Sequence, residues 1–197
     1  VKSGCNGAFI VTVTDRGITA ENGGVVEVEA ELLRPLVRGE HVRAWQVDVR
    51  NELIIWTHGR NGRPLDRLPS RAERWFRPWG RRLMARSDAR GNGRWWALFR
   101  TKAAGCDVRR VVWAHFGRAP RAAVLEPGRE AVPLNTCYVA RCATMADAYA
   151  LAAVLNSPLA TAWLRAIAGP ARGQFRRYLR WSLSLLPVPT DWPVGPD

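Results

Sequence analysis

Ala171-Arg-Gly-Gln-Phe-Arg-Arg-Tyr-Leu-Arg-Trp-Ser-Leu-Ser-Leu-Leu-Pro-Val-Pro189 is the stretch on which the reading of this chain turns. Its pattern predicts a glycine-bearing basic turn, then an amphipathic helix over 175–185, stopped by Leu-Pro-Val-Pro. Arg172, Arg176, Arg177 and Arg180 bring charge, while Gln174, Phe175, Tyr178 and Trp181 bring hydrogen-bonding and stacking groups. A phosphate backbone and base edges suit that mixture better than a catalytic pocket does. Residues 172–177 read as the contacting edge, and Leu179, Leu183, Leu185 and Leu186 as its anchor in the core. An ordinary surface helix of a basic protein would use the same residues, so the rest of the chain has to decide.

Upstream of this stretch lie two predicted helices. Gly169-Pro170 ends one over 158–168, with Pro158 at its first position. Thr144 is the N-cap of another over 145–156, with Asp147 in its first turn. Before them the pattern is mostly that of strands: 8–14, 42–47, 53–56, 94–100, 110–116, 122–125 and 136–141. An Asp15-Arg-Gly turn follows the first. Residues 26–32 alternate apolar with Glu and read as a strand with one wet face, although Glu and Ala also allow a short helix. Residues 33–39 read as a bend closing on Gly39, and 57–64 and 87–93 as loops. Pro69-Ser70 opens a helical insert that Pro78 interrupts and that resumes over 79–86. The predicted fold class is α+β: a β-rich mixed body over 1–142 with one helical insert near 69–86, then a helical part over 143–190. Trp45, Trp56, Trp113 and Trp163 fall at apolar-face positions and are expected in the core. Trp95 and Trp96 would face opposite ways on a strand, one of them buried.

At 197 residues the chain can hold one domain with a real core, or two small ones. No apolar run approaches the roughly 18–20 residues that span a bilayer, and the first residues do not have the form of a signal peptide. The opening Val1-Lys-Ser-Gly starts almost directly in structured-looking sequence, so the chain is expected to be a fragment of a longer protein. Cys5, Cys106, Cys137 and Cys142 form no Cys-x-x-Cys pair, and no His lies at ligand-like spacing from them; free buried thiols in a reducing cytoplasm are the expectation. The net charge of +13 is unevenly placed. Residues 1–52 hold six basic and eight acidic residues, whereas 60–121 hold seventeen basic and four acidic. Codon bias accounts for arginine at 28 of the 30 basic positions, but not for the loss of acids from mid-chain. A local excess of that size favours a polyanionic partner.

Signatures of catalysis are sparse. The chain contains no phosphate-binding Gly-x-x-x-x-Gly-Lys loop and no Gly-x-Ser-x-Gly elbow. His58-Gly-Arg-Asn61 faintly resembles a His/Asn nuclease loop, and Asp48 and Glu52 could be nuclease carboxylates, yet strand-end and loop roles explain them more simply.

Several blocks also occur in a particular order: Lys2-Ser-Gly-Cys-Asn-Gly-Ala-Phe-Ile10, Leu33-Arg-Pro-Leu-Val-Arg-Gly-Glu-His-Val42 with Trp45, 69–86 ending Arg82-Leu-Met-Ala-Arg86, Trp95-Trp-Ala-Leu-Phe-Arg100, Leu134-Asn-Thr-Cys-Tyr-Val139, Leu155-Asn-Ser157 and 173–189. In that order they resemble the C-terminal target-recognition (specificity) domain of TaqI-like N6-adenine DNA methyltransferases, including fused type IIG restriction–modification enzymes. The resemblance spans essentially the whole chain and implies a single target-recognition domain, 1–197, that reads double-stranded DNA in the cytoplasm. The family's cofactor loop and its Asn/Asp-Pro-Pro-Tyr/Phe motif, which handles the flipped adenine, are not in this sequence. The implied methyltransferase domain, in cis or in trans, would therefore carry S-adenosylmethionine and the catalysis, with or without an attached nuclease. No catalytic residue, cofactor, metal or membrane partner is expected in this fragment. The expected DNA-binding residues are Lys2, Asn6, Arg60, Arg63, Arg94, Arg118, Arg121, Arg172, Gly173, Gln174, Arg176 and Arg177, since arginine pairs with guanine and Gln or Asn with adenine. An RNA- or single-strand-binding module, a metal-dependent nuclease using Asp48, Glu52 or His58, and a purely structural or protein-binding domain remain as alternatives.

Overall fold

In the computed structural model, which describes residues 1–89 and 94–188, the predicted Asp15-Arg-Gly turn closes a two-residue hairpin. Thr14 Oγ1 donates to the Gly17 carbonyl at 3.0 Å and accepts from the Arg16 amide at 3.3 Å, and Gly17 takes φ +96°. The hairpin belongs to the first of two compact units, Val1–Leu36 with Val49–Gly105; the second is Val37–Asp48 with Cys106–Asp197. The architecture is mixed α+β, with the sheets and helices distributed over both units.

In the first unit, α1 (Asn6–Phe9) leads into β1 (Ile10–Thr14) and β2 (Gly17–Ala20); β3 (Leu33–Val37) and β4 (Glu52–Ile55) complete an antiparallel sheet in the order β2-β1-β4-β3. Farther along this unit come α2 (Ser70–Phe76), which meets α1 through Phe76 and Trp75, and α3 (Gly80–Met84), joined by a 3-10 turn through Pro78, as the interrupted helical pattern predicts. Phe9 and Phe76, both fully buried, meet at 4.9 Å between ring centroids. Buried Arg86 staples this unit. Its guanidinium donates to the carbonyls of Leu83, Ser3, Trp95 and Ala97 and lies 4.7 Å above the Phe99 ring. Gly4, at φ +67°, makes room for it, because a Cβ there would sit 2.8 Å from Arg86 Cδ.

In the second unit the central strand β5 (Arg109–Ala114) is followed by the short β6 (Phe116–Gly117). β7 (Ala122–Leu125) and β9 (Cys137–Cys142) flank β5 on either side, both antiparallel, and β8 (Val132–Pro133) lies between them in sequence. Alternation along β5 divides the core in two. Val111 and Trp113 face α4 (Met145–Asn156) and α5 (Pro158–Ile167), and Val112 faces Val37, Val42, Val47 and Ala131. Thr144 and Asp147 form a reciprocal capping box at the start of α4, and Ser157 Oγ accepts from the Ala160 amide at the start of α5. The Asn156 side chain grips the first residue of β7, accepting from the Ala122 amide (2.9 Å) and donating to its carbonyl (3.0 Å).

Several expected elements differ. Residues 26–29 keep the inside–outside alternation, with Val26 and Val28 buried, but Ala30 is exposed and Ala30–Leu32 form a 3-10 turn rather than a strand. The bend expected at 33–39 is strand β3, and Gly39 follows it where a Cβ would meet the Thr136 carbonyl at 2.6 Å. Residues 42–47 form a tight turn closed by one Val42–Val47 bridge, which swings Trp45 to φ +72° and 55% exposure instead of into the core. Trp163 is also exposed, whereas Trp56 and Trp113 are buried as expected. Among the described part of 94–100, only Phe99 forms a bridge, to Lys2, and Arg86 takes the carbonyls that a ladder would use; Trp95 and Trp96 are both half-buried. All four cysteines are free, but only Cys5 is fully buried. No single helix among the described residues is long and apolar enough to cross a membrane.

Candidate nucleic-acid interface

The predicted helix over 175–185 forms only at 180–183, and a β-ribbon stands in place of its first part. After Gly169-Pro170 the chain folds back on itself: the Arg177 amide donates to the Gly169 carbonyl and the Ala171 amide to the Phe175 carbonyl, each at 2.9 Å. This leaves Arg172-Gly173-Gln174 as the hairpin tip, with Gly173 at φ +67° in the left-handed position such a loop requires. The returning strand β10 (Arg176–Arg177) pairs antiparallel with β6, Arg176 opposite Gly117 and Arg177 opposite Phe116. Helical structure resumes only in α6 (Arg180–Leu183).

Tyr178 is the reason. It was expected to stack on a partner, but it is completely buried. Its amide donates to the His115 carbonyl (2.8 Å), its hydroxyl donates to the Gly117 carbonyl (3.0 Å), and its carbonyl accepts from Trp113 Nε1 (3.4 Å). Three bonds into the 113–117 segment outweigh the local helical preference of the sequence. Burial pushes the phenol up to about 12, although Arg165 and Arg176 pull it the other way, so the hydroxyl stays a donor at neutral pH. Gly117 lies beside the ring: a Cβ there would come to 3.6 Å from Tyr178 Cε2 and 3.1 Å from the Ala119 carbonyl. Leu183 and Leu186 pack against the core as expected, but Leu185 is 55% exposed.

The ribbon is strongly basic. No acidic residue occurs from 108 to 125 or from 148 to 190, and among the described residues Arg118, Arg121, Arg172, Arg176, Arg177 and Arg180 have no ion pair. Phe116, Phe175 and Trp181 are exposed beside these arginines. The ring of His115 lies 5.4 Å from Phe116 and 5.2 Å from Tyr138, and burial, then the Arg177 charge, hold its pKa below the usual value. Sequence reading missed Phe116. Its one signal was its place directly before Gly117-Arg118, where a strand pattern gives way to a turn.

Of the expected DNA-binding residues, the second unit therefore holds Arg118, Arg121, Arg172, Gly173, Gln174, Arg176 and Arg177, and the ribbon gathers five of them, 172–174 and 176–177, with Arg118 adjoining β6. All are exposed except Arg176, which is half-buried. The first unit holds Lys2, Asn6, Arg60, Arg63 and Arg94. Arg60 and Arg63 are exposed on one loop, turned by Gly62 at φ +73° and by Asn61 Oδ1, which accepts from the Arg63 amide. Lys2 is paired with Asp88 at 2.8 Å, Arg94 is paired with Asp66, and Asn6 accepts from Ser3 Oγ.

The candidates of the nuclease alternative are differently placed. His58 is 5% exposed beside Trp56, and burial, with Arg34 nearby, pushes its pKa down to about 4 against a backbone hydrogen bond with Leu98 that raises it. Among the described residues no group of three His, Cys, Asp or Glu is placed to hold a metal ion. No protein-family model and no curated protein matches this chain.

Proposed function

We propose that this chain is a sequence-specific duplex-DNA recognition domain that positions DNA for an adenine-specific methyltransferase domain, in cis or in trans, which carries S-adenosylmethionine. The single observation that supports this reading most is the β6–β10 ribbon. It presents Arg172, Gln174, Arg177 and Arg118, with no ion pair among the described residues, on a narrow two-stranded element of the kind that enters a major groove. In this reading Arg172 and Gln174 at the tip reach base edges, while Arg118, Arg121 and Arg177 contact phosphates. Exposed arginines give affinity through the backbone whatever the sequence, and the tip gives discrimination of about 1–3 kcal/mol for each good bidentate pair.

The exposed Phe116, Phe175 and Trp181 favour a second reading, a single-strand or RNA module in which bases stack on aromatic rings. Competition decides between them. A labelled random-sequence duplex bound to the protein is challenged with unlabelled duplex, single-stranded DNA of the same sequence, and RNA. Duplex recognition predicts that unlabelled duplex competes best; stronger competition by either single strand gives the second reading, and no binding to any of the three removes both.

A further inference from the structure

A hollow in the first unit has no part in the interface just described. Its volume is about 470 Å³, within the ~300–1,000 Å³ of small-molecule sites. One wall is the helical face that carries Arg71, Arg74, Trp75 and Trp79; the other is the 22–27 loop with Asn22 and Glu27. A smaller hollow of about 210 Å³ adjoins it through Asn22 and Trp79. Three contacts make the site rigid. Trp75 Nε1 donates to the Ala8 carbonyl at 2.9 Å. The Trp79 ring lies over Gly7, where a Cβ would come within 3.1 Å of it. Both carboxylate oxygens of Glu29 accept from the first amides of α2, Arg71 at 2.8 Å and Ala72 at 3.0 Å, which ties one wall to the other.

The two indoles stand 6.3 Å apart at 51°, an aromatic corner rather than a stack, and both are only half-buried. Arg71 and Arg74 are exposed on the rim; neither has an ion pair within 4.0 Å among the described residues, although the Arg71 charge also acts on the Glu29 carboxylate bonded to its amide. Glu27, exposed on the 22–27 loop, lines the same hollow and offers a carboxylate. A ligand that matches all three features has a flat ring, an anionic group at one end and an amino donor at the other.

We propose that this hollow binds a nucleotide bearing an amino-substituted base. The base stacks on one indole with its edge against the other, the phosphate meets Arg71 and Arg74, and Glu27 accepts from the exocyclic amino group. The chemistry is the same for a free mononucleotide and for an unpaired residue of a polynucleotide, and the test separates them.

The full chain is titrated calorimetrically with adenosine 5′-monophosphate, uridine 5′-monophosphate, inorganic phosphate and a short oligodeoxyadenylate. The variants are Arg71→Gln/Arg74→Gln and Glu27→Gln, surface changes that leave the core intact, with the thermal midpoint as the check on folding. The expected result is one-to-one binding of the adenine nucleotide, at least tenfold tighter than the uracil nucleotide. The double arginine variant weakens it tenfold or more, and Glu27→Gln removes the adenine preference. Variant-sensitive binding by the mononucleotide gives a free nucleotide as the source, and by the oligonucleotide alone an unpaired residue. Neither ligand binding at millimolar concentration, binding unchanged in both variants, or inorganic phosphate binding as tightly as the nucleotide would overturn the proposal.

Discussion

Tyr178 shows how one side chain can carry two readings. In the sequence it lies in an aromatic–arginine run and looks like a stacking group; in the fold it is the bolt that fastens β10 to the 113–117 segment. Tyr178→Phe removes the hydroxyl and leaves the Gly117 carbonyl without its donor, so a loss of roughly 1–3 kcal/mol is expected in chemical denaturation, together with weaker nucleic-acid binding if the ribbon loosens. Gly173→Ala isolates the backbone instead. Nothing lies within 4 Å of the added methyl, so the whole effect is the strain of φ +67°, about 1 kcal/mol. Arg86 belonged to a block read as a family resemblance, yet the structure gives it a purely structural task. Arg86→Met strands the carbonyls of Ser3, Trp95 and Ala97 and should lower stability by roughly 3 kcal/mol or more, read from the denaturation midpoint.

At the scale of elements, what was legible is what local physics decides. The helix over 145–156 carries its own stop and start signals in Thr144, Asp147 and Ser157-Pro158, and its observed bounds coincide with the expected ones. Thr144→Ala should therefore cost about 1 kcal/mol, seen as a lowered thermal midpoint. The turn at Asp15-Arg16 was legible for the same reason. Illegible were the elements set by distant partners. Residues 26–32 alternate like a strand, but the carboxylate of Glu29 turns toward α2, and no local pattern announces that. The 175–185 stretch has helical spacing throughout, and only the pairing of 176–177 with 116–117, some sixty residues away, makes its start a ribbon while 180–183 stays helical. Of the candidate site, the basic turn around Gly173 was readable from composition, whereas Phe116 and the strand pairing were not.

For the whole molecule, the distribution of charge and the buried ionisable groups set how it responds to solution conditions. His58 has a folded pKa of about 4, below the ~6.5 of an unfolded histidine. Between those values the unfolded chain binds the extra proton, so His58 contributes stability that is present above about pH 6.5 and is lost as pH falls toward 4, on the order of 2–3 kcal/mol. Denaturation at pH 7 and pH 4.5 should show a smaller drop for His58→Gln than for the wild type; an equal drop would assign the acid sensitivity to other groups. The local excess of arginine leads to the most direct test of duplex recognition by the ribbon. Fluorescence anisotropy follows binding to a labelled random-sequence duplex from low to moderate salt, for the wild type and for Arg172→Gln/Arg176→Gln/Arg177→Gln. The prediction is a linear fall of log K with log salt, by about a thousandfold if six phosphates are neutralised, and in the variant a slope shallower by up to about 0.9 for each replaced arginine that contacts a phosphate in the wild type. Absence of binding, or an unchanged slope and affinity in a variant that melts like the wild type, would contradict it.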